Sequence, residues 1–277
     1  MANLTVAQAR SLFESQKDND FPDISSSTFL EWMNFINDKM YFQLSAMDEN
    51  RFMTEFVYDV EAGIAKYTKP SDFGFSALKF ASSGVFKTRG GSDYLLVRYD
   101  TETGNFTAGL TVTGAVSGAT GVIDQVQDNG TDGYLVLSAV TDEFEDGEAI
   151  TDTSTGAAVV DGDPRLFSKS TSALQKVHPY SSNLGYSVDS TDIQFVPMPT
   201  SDAVYVTRYL PLATRLTGDA SETLFDAAFS EALVRITIEA YEIWDDGDIA
   251  TANILATNTI NEMLNNYQQD SFIFIAD

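Results

Sequence analysis

From Phe29 onward, apolar residues recur at steps of three and four through Trp32, Phe35, Ile36, Met40 and Leu44. That spacing lays one stripe along a helix ending near Ala46. Thr28-Phe29-Leu30-Glu31 fits a capping box at its start, and Thr5-Val6-Ala7-Gln8 fits another that predicts a short helix to about Gln16. Past Ala46 the period drops to two. Phe56, Tyr58 and Val60, then Leu78 and Phe80, then Tyr94 and Leu96 predict strands, interrupted by a turn over Tyr67-Thr68-Lys69-Pro70-Ser71-Asp72-Phe73. Alternation returns at Ile193 and Phe195 and at Val204 and Val206, on either side of Pro197-Met198-Pro199. From Leu224 a helical period carries Phe225, Ala228, Phe229, Ala232, Leu233, Ile236, Ala240 and Trp244, until Asp245-Asp246-Gly247-Asp248 stops it. Ile249, Leu255, Ile260 and Leu264 mark a second helix, so the two form a helical hairpin. The closing Ser271-Phe272-Ile273-Phe274-Ile275-Ala276-Asp277 is apolar and β-prone. It reads as an edge strand or as an arm that adds to a neighbour's sheet, with Phe272, Ile273, Phe274 and Ile275 as oligomer or partner contacts.

These elements predict an α+β class, with N-terminal helices and a C-terminal helical hairpin packed with an antiparallel β-sheet. Between Arg98 and Arg165 no Lys or Arg occurs while Asp and Glu continue, and the shift marks residues 101–164 as a unit inserted into a discontinuous core of 1–100 and 165–277. The insert repeats itself. Phe106, Gly109, Thr113, Gly118 and Ala119 align with Phe144, Gly147, Thr151, Gly156 and Ala157 at a constant offset of 38 residues. Two copies are too few for a solenoid, so the expectation is paired short strands in a small all-β barrel or sandwich, with glycines at the turns.

Charge narrows the function. Against 16 Lys and Arg stand 41 Asp and Glu, a formal net charge of -25 over 277 residues. Such a field repels phosphate, and no segment supplies the basic stripe that nucleic-acid binding needs. With 43% hydrophobic residues the chain has ample material for a core. No cysteine is present, which removes disulfides and thiolate chemistry. Neither a signal sequence nor an apolar run long enough to cross a membrane is expected.

Candidate chemistry is sparse. His178 is the single histidine and has no cysteine or second histidine to complete a zinc site, and no Gly-x-Ser-x-Gly elbow supports a triad around it. Asp142, Glu143, Glu145, Asp146 and Glu148 read as a solvated face, with calcium binding or carboxylate-dependent hydrolysis as alternatives. Asp245-Asp246-Gly247-Asp248 lacks the glutamate an EF-hand needs, since Ala256 stands there, and reads as a helix-breaking turn. Asp161-Gly162-Asp163-Pro164 reads as a tight turn, and Trp32 and Trp244 as core. Nucleotide-binding glycine loops are absent. The expectation is no enzyme, no catalytic residues, no cofactor and no metal.

The order of elements, the Tyr67 to Phe73 turn, and the stretches Ile193 to Pro199 and Tyr205 to Pro211 resemble the head-to-tail connector adaptors of tailed bacteriophages. That family includes tail tubular protein A. Phe225 to Trp244, followed by Asp245-Asp246-Gly247-Asp248, looks like the family's closing helix. The resemblance covers residues 1 to about 100 and 165 to 277. It implies a virion protein of the neck or tail, assembled in the host cytoplasm into a homo-oligomeric ring of about a dozen copies. Its partners would be the portal protein and a tail tube or nozzle protein. DNA would pass through the ring without specific binding, and no membrane would be involved. Residues 101–164 depart from the family pattern and look like small Gly-rich β modules of phage structural proteins. The alternative is therefore a virion β module that binds a receptor, a glycan or a tail fibre.

Overall fold

The computed structural model describes residues 3–16, 24–47, 52–74, 77–78, 83–88, 91–170, 174–179, 185–226 and 230–273; of 178, 179, 226, 231 and 266–273 it describes the backbone alone. The fold is mixed α+β. In chain order it runs β1 (Asn3–Thr5), α1 (Val6–Gln16), α2 (Ser26–Met47), β2 (Thr54–Val60), β3 (Lys66–Thr68), β4 (Gly84–Thr88) and β5 (Tyr94–Gly104). Next come β6 (Thr111–Gly114), β7 (Thr120–Asp128), β8 (Gly133–Ser138), β9 (Ala149–Asp152), β10 (Ala157–Val160) and β11 (Arg165–Phe167). The last are β12 (Leu174–Pro179), β13 (Gly185–Val188), β14 (Asp192–Val196), β15 (Ala203–Tyr209), β16 (Glu222–Asp226), α3 (Ser230–Asp245) and α4 (Ile249–Ile273). Two compact units result: Met1–Phe52 with Ala213–Asp277, and Met53–Leu212.

The first unit is helical. Its α1 begins on the expected box: the Thr5 N–H donates to Gln8 Oε1 at 2.8 Å and the Gln8 N–H donates to Thr5 Oγ1 at 3.2 Å. The second box is displaced. Ser25, not Thr28, caps α2, accepting the Thr28 N–H at 3.1 Å, and the Thr28 hydroxyl lies 2.7 Å from Ser25 Oγ. Thr28 thus stands in the first turn, where its side chain answers the cap. Ser25→Ala is expected to cost about 1 kcal/mol in urea unfolding and Thr28→Ala clearly less; the reverse order would restore Thr28 as the cap.

The predicted stripe of α2 is buried, with Phe29, Trp32, Ile36 and Met40 no more than 1% exposed. It meets Val6, Ala9 and Phe13 of α1, Leu233, Ile236 and Ala240 of α3, and Ala256, Ile260 and Leu264 of α4. Two asparagines on α2 receive the chain where it returns to the unit. The Leu216 N–H donates to Asn34 Oδ1 at 2.8 Å, Asn34 Nδ2 donates to the Leu216 carbonyl at 3.1 Å, and the Leu224 N–H donates to Asn37 Oδ1 at 2.7 Å. These side-chain amides stand in for backbone partners that a helix face cannot offer. Antiparallel pairing of β1 with β16 closes the unit from both ends of the chain.

The helical hairpin forms as predicted. The N–H groups of Gly247 and Asp248 donate to the carbonyls of Trp244 and Ile243 at 3.1 Å each, with Gly247 at φ 86, which is the paired bonding of a Schellman stop. Asp248 then caps α4 by accepting the Thr251 N–H at 3.1 Å. The extended tail expected from Ser271 is corrected over its first residues, because α4 continues through Phe272 and Ile273. Once a helical ladder is running, each further residue adds a hydrogen bond for one residue ordered, and this outweighs β propensity. Phe274 and Ile275 lie outside the described residues.

The second unit holds two seven-stranded sheets. One has the order β10-β9-β6-β7-β8-β5-β11, and β10 also pairs with β5, so six strands close on themselves while β11 lies beside the start of β5. Its strands run from Tyr94 to Phe167, wider at both ends than the 101–164 segment. Leu95, Val97, Tyr99, Phe106, Val112, Ile123, Leu135, Leu137, Phe144 and Ile150 fill the interior.

The repeat is real in three dimensions but its offset is not constant. Thr113 of β6 pairs with Thr151 of β9, its own repeat equivalent, so a local two-fold axis passes between them. β6 pairs with β7 through Thr113↔Thr120, and β9 pairs with β10 through Thr151↔Ala157, an offset of 37 after the turn where 38 held before it. Gly156 is thus equivalent to Ala119, not to Gly118. The backbone agrees, since Gly118 has φ 69 while Gly156 is not among the positive-φ glycines. Gly156 is small for another reason: a Cβ there would meet Phe106 at 2.5 Å and the Asp152 carboxylate at 2.8 Å.

The other sheet has the order β2-β15-β4-β12-β13-β14-β3, antiparallel except between β12 and β13. It curls until its two ends share one core. Phe195 of β14 lies 4.6 Å from Tyr205 of β15 and 5.7 Å from Tyr67 of β3, ring to ring. The strand expected at Leu78 and Phe80 is a further correction. Leu78 lies in a turn and Phe80 outside the described residues, because the backbone here is held from elsewhere: Leu210 donates to the Ala77 carbonyl at 3.0 Å and Leu212 to that of Asp72 at 2.7 Å.

Candidate functional site: the joint between the two sheets

Strand β2, Thr-Glu-Phe-Val-Tyr-Asp-Val, is buried on both faces. Phe56, Tyr58 and Val60 face the curled sheet's core. Val57 faces the other way and joins Val204 and Val206 of β15 with Leu96, Tyr134, Val136 and Phe167 of the closed sheet in a second apolar cluster. This explains the continuous apolar run Tyr94-Leu95-Leu96-Val97, whose odd positions fill the closed sheet while even ones face β2 and β15.

β2 is an edge strand, and its outward peptide group at Val57 is occupied by a side chain. The Val57 N–H donates to Gln125 Oε1 at 2.8 Å, and Gln125 Nε2 donates to the Val57 carbonyl at 2.8 Å, so one amide replaces a neighbouring strand. The Tyr134 hydroxyl donates to the same carbonyl at 2.7 Å. Gln125 follows a β-bulge, where the register of β7 against β8 shifts between Ile123 and Gln125, and such bulges re-aim the next side chain.

Asp59, two residues on, is the charged centre. Its side chain is 4% exposed and accepts hydrogen bonds from Arg98 Nε and, at 2.6 Å, from Arg165 Nη1. Arg165 Nη2 also reaches Asp202 at 3.0 Å, and Asp202 accepts the Ala62 N–H at 2.9 Å. That N–H and then the two arginines hold the Asp202 carboxyl below the usual carboxylate range. Burial opposes the charge on Arg98, but the hydrogen bond and charge of Asp59 outweigh it and raise its pKa. Burial also pushes the Tyr58 and Tyr134 hydroxyls above the ordinary phenol range, so both stay protonated. Beside this network opens a cleft of about 450 Å³ lined by Asp59, Glu61, Lys66, Tyr67, Arg98, Tyr134 and Asp161, among others. Its chemistry is that of a clamp: paired charges and a peptide-mimicking amide fix one sheet on the other.

The acidic cluster splits. Asp142, Glu143, Glu145 and Asp146 are exposed, and with Asp163 they rim a recess of about 570 Å³. Glu148 corrects the solvated reading: it is 3% exposed and accepts the N–H groups of Val116 (2.9 Å), Ser117 (3.0 Å) and Glu145 (2.7 Å) and the Ser117 hydroxyl (2.8 Å). Asp152 plays the same part on the other side of the local two-fold, accepting the N–H groups of Ser154, Gly156 and Thr107. Thr107 and Glu145 are repeat equivalents, so each carboxylate ties a turn of one repeat to the strand entry of the other.

The remaining candidates stay apart from the joint. His178 lies in β12 opposite Gly185, with its side chain outside the described residues. Trp32 is fully buried, its indole N–H 3.4 Å from Thr237 Oγ1, and it packs on Phe35, Tyr241 and Trp244. The Asp161 turn has Gly162 at φ 81, its N–H donating to Asp146 at 2.8 Å. Among the described residues no group of three or more His, Cys, Asp or Glu is arranged to hold a metal, and no helix is long and apolar enough to cross a membrane. Sequence reading missed Asp59, Gln125 and Tyr134. A lone acid inside the apolar strand Phe56 to Val60 was the one available signal, since such an acid needs a partner. Searches with this chain match no known family model, no curated protein and no solved structure.

Proposed function

We propose that this protein is a structural virion subunit, a head-to-tail adaptor that forms a homo-oligomeric ring between portal and tail and encloses part of the DNA channel. One observation carries the reading: both ends of the chain build one helical unit, and the 53–212 stretch between them is a single β unit, the helix-sheet-helix order of such adaptors. The formal charge of -25 fits a wall past which DNA slides without being held. Phe42, Met47, Ile249 and Ile254 on the helices are 42–62% exposed and offer apolar surface to neighbouring copies. In this reading the closed sheet of 94–167 is an inserted module with its own interior, set outward toward a tail component. The chain does no catalysis, uses no cofactor, and belongs in the virion neck after assembly in the host cytoplasm.

Mixing the protein with the portal protein of the same genome and imaging by electron microscopy is the direct test, with rings stacked under the portal as the expected result. A protein that stays monomeric with the portal and is missing from purified virions ends the proposal. Truncation after Ser271, removing Phe272 to Asp277, is expected to lower the assembled fraction in light scattering while leaving the monomer's Tm in place. Intact rings with a lowered Tm would assign the segment to the fold of its own chain.

A further inference from the structure

Between β7 and β8 the chain reads Asp128-Asn129-Gly130-Thr131-Asp132-Gly133 and holds its single Asn-Gly pair. Glycine has no Cβ, so in such a pair its backbone nitrogen can close on the side-chain carbonyl carbon of the asparagine before it. Both residues are exposed, and Gly130 has φ 110, in the region that favours glycine. The nucleophile and the electrophile each have a partner. The Gly130 N–H donates to Asp128 Oδ1 at 2.7 Å, and Gln127 Nε2 donates to Asn129 Oδ1 at 3.2 Å. A carboxylate thus sits on the proton that must leave, and an amide on the oxygen that must take up charge. The turn is held around the pair: the Asn129 N–H donates to the Asp132 carbonyl at 2.9 Å, and Asp128 Oδ2 lies 3.4 Å from Asn105 Nδ2.

We propose that Asn129 and Gly130 form a self-modification site that converts the asparagine to an aspartyl or isoaspartyl residue, with Asp128 and Gln127 as its catalytic residues. The Gly130 nitrogen attacks Asn129 Cγ while Asp128 takes its proton, and the negative charge that forms on Asn129 Oδ1 is met by Gln127. Collapse breaks the Cγ–Nδ2 bond, Asp128 returns the proton to Nδ2, and ammonia leaves behind a five-membered imide. Solvent water opens the imide at either carbonyl. One opening gives aspartate with the ordinary backbone, the other isoaspartate with the chain running through the side chain. The sum is asparagine plus water to a carboxylic acid plus ammonia, with no change of oxidation state. Asn129 also lines the cleft of about 450 Å³ at Asp59 and Arg98, so conversion sets a new carboxylate on the rim of the joint between the sheets. The isoaspartyl form adds a backbone carbon to the turn at the point where the Asn129 N–H closes on Asp132.

Incubation of the intact protein at mildly alkaline pH, followed by peptide mapping with mass spectrometry, tests the site. The peptide carrying residue 129 should gain the mass of OH in place of NH2 and split into two chromatographic forms, with ammonia released in equal amount. Conversion should run faster in the folded protein than in the same chain unfolded in guanidinium chloride. Asp128→Ser keeps an acceptor for the Gly130 N–H but no base, and should slow conversion about tenfold, below the usual range for a positioned base because a carboxylate is a weak base toward an amide. Gln127→Ala should slow it as well. Conversion that is slower in the folded protein than in the unfolded chain, or that either substitution leaves at the unaltered rate, overturns the proposal. So do fragments ending at residue 129, which would show the side-chain amide attacking its own backbone carbonyl instead. Should a variant fail to fold, the folded and unfolded forms of the unaltered protein still decide.

Discussion

Replacing Asp59 with alanine is expected to cost about 3 kcal/mol of the β unit's stability, at the low end for breaking a buried ion pair from one side. The loss arises from what remains. Arg98 would keep Glu61 at 3.1 Å and Arg165 would keep Asp202 at 3.0 Å, carboxylates 44% and 48% exposed, but the two guanidinium side chains, themselves 26% and 24% exposed, would lose the buried carboxylate they share. Their partial exposure lets water recover some of the penalty, which sets the estimate at the low end. Because the acid itself is only 4% exposed, the effect should change little with added salt, unlike that of a surface pair. Asp59→Ala combined with Arg98→Met and Arg165→Met should recover much of the loss, since an apolar set of similar volume is often as stable as the ion pairs it replaces. Urea unfolding of the unaltered protein and the two variants decides it; a loss under about 1 kcal/mol for Asp59→Ala would mean that the apolar cluster alone holds the sheets together.

The second large effect is expected at Glu148. Alanine there removes a charged acceptor from three N–H groups and one hydroxyl in a single step, a cost of about 3 kcal/mol. Burial pushes the Glu148 carboxyl up, but the donors of Ser117, Glu145 and Val116 outweigh it and hold its pKa below the ordinary 4.5. The sign follows from that direction. Its stabilisation is present above pH 4.5 and is lost as pH falls through the lowered folded value, so the unaltered closed sheet should weaken at strongly acid pH while Glu148→Ala should have little left to lose there. Thermal melts from pH 7 down to acid test this. A variant that keeps the unaltered protein's acid sensitivity would place the acid-labile group elsewhere, with Asp152 the next to replace.

Why some of this could be read from the residues and some could not comes down to range. Helices α2, α3 and α4 follow from local periodicity, because a stripe such as Phe29 to Leu44 places its own residues on one face whatever packs against it. The Asp245 to Asp248 stop and the Thr5 box are equally local, each closed by hydrogen bonds within a few residues. Ser25 was missed as the cap because Thr28-x-x-Glu31 completes a capping box and Ser25-x-x-Thr28 does not, so that only the backbone geometry gives Ser25 the Thr28 N–H. The repeat was legible as to its strands, while the one-residue slip after Gly114 was not, since Gly118-Ala119 and Gly156-Ala157 match in residue type at an offset of 38 where the strand pairing gives 37.

The chain's own pattern thus determined the α+β class, the helical hairpin, the paired strands of the Gly-rich segment and the formal net charge of -25. Tertiary structure alone decided that Arg98 and Arg165, the two ends of the stretch without basic residues, converge on Asp59, that Gln125 replaces a strand at Val57, and that Glu148 is buried among donors while Asp142, Glu143, Glu145 and Asp146 stay exposed. The physical reason is that residue type sets which interactions a side chain can make, while burial and partners supplied from tens of residues away set which of them it does make. For a carboxylate those two conditions reverse the preference between charged and neutral forms.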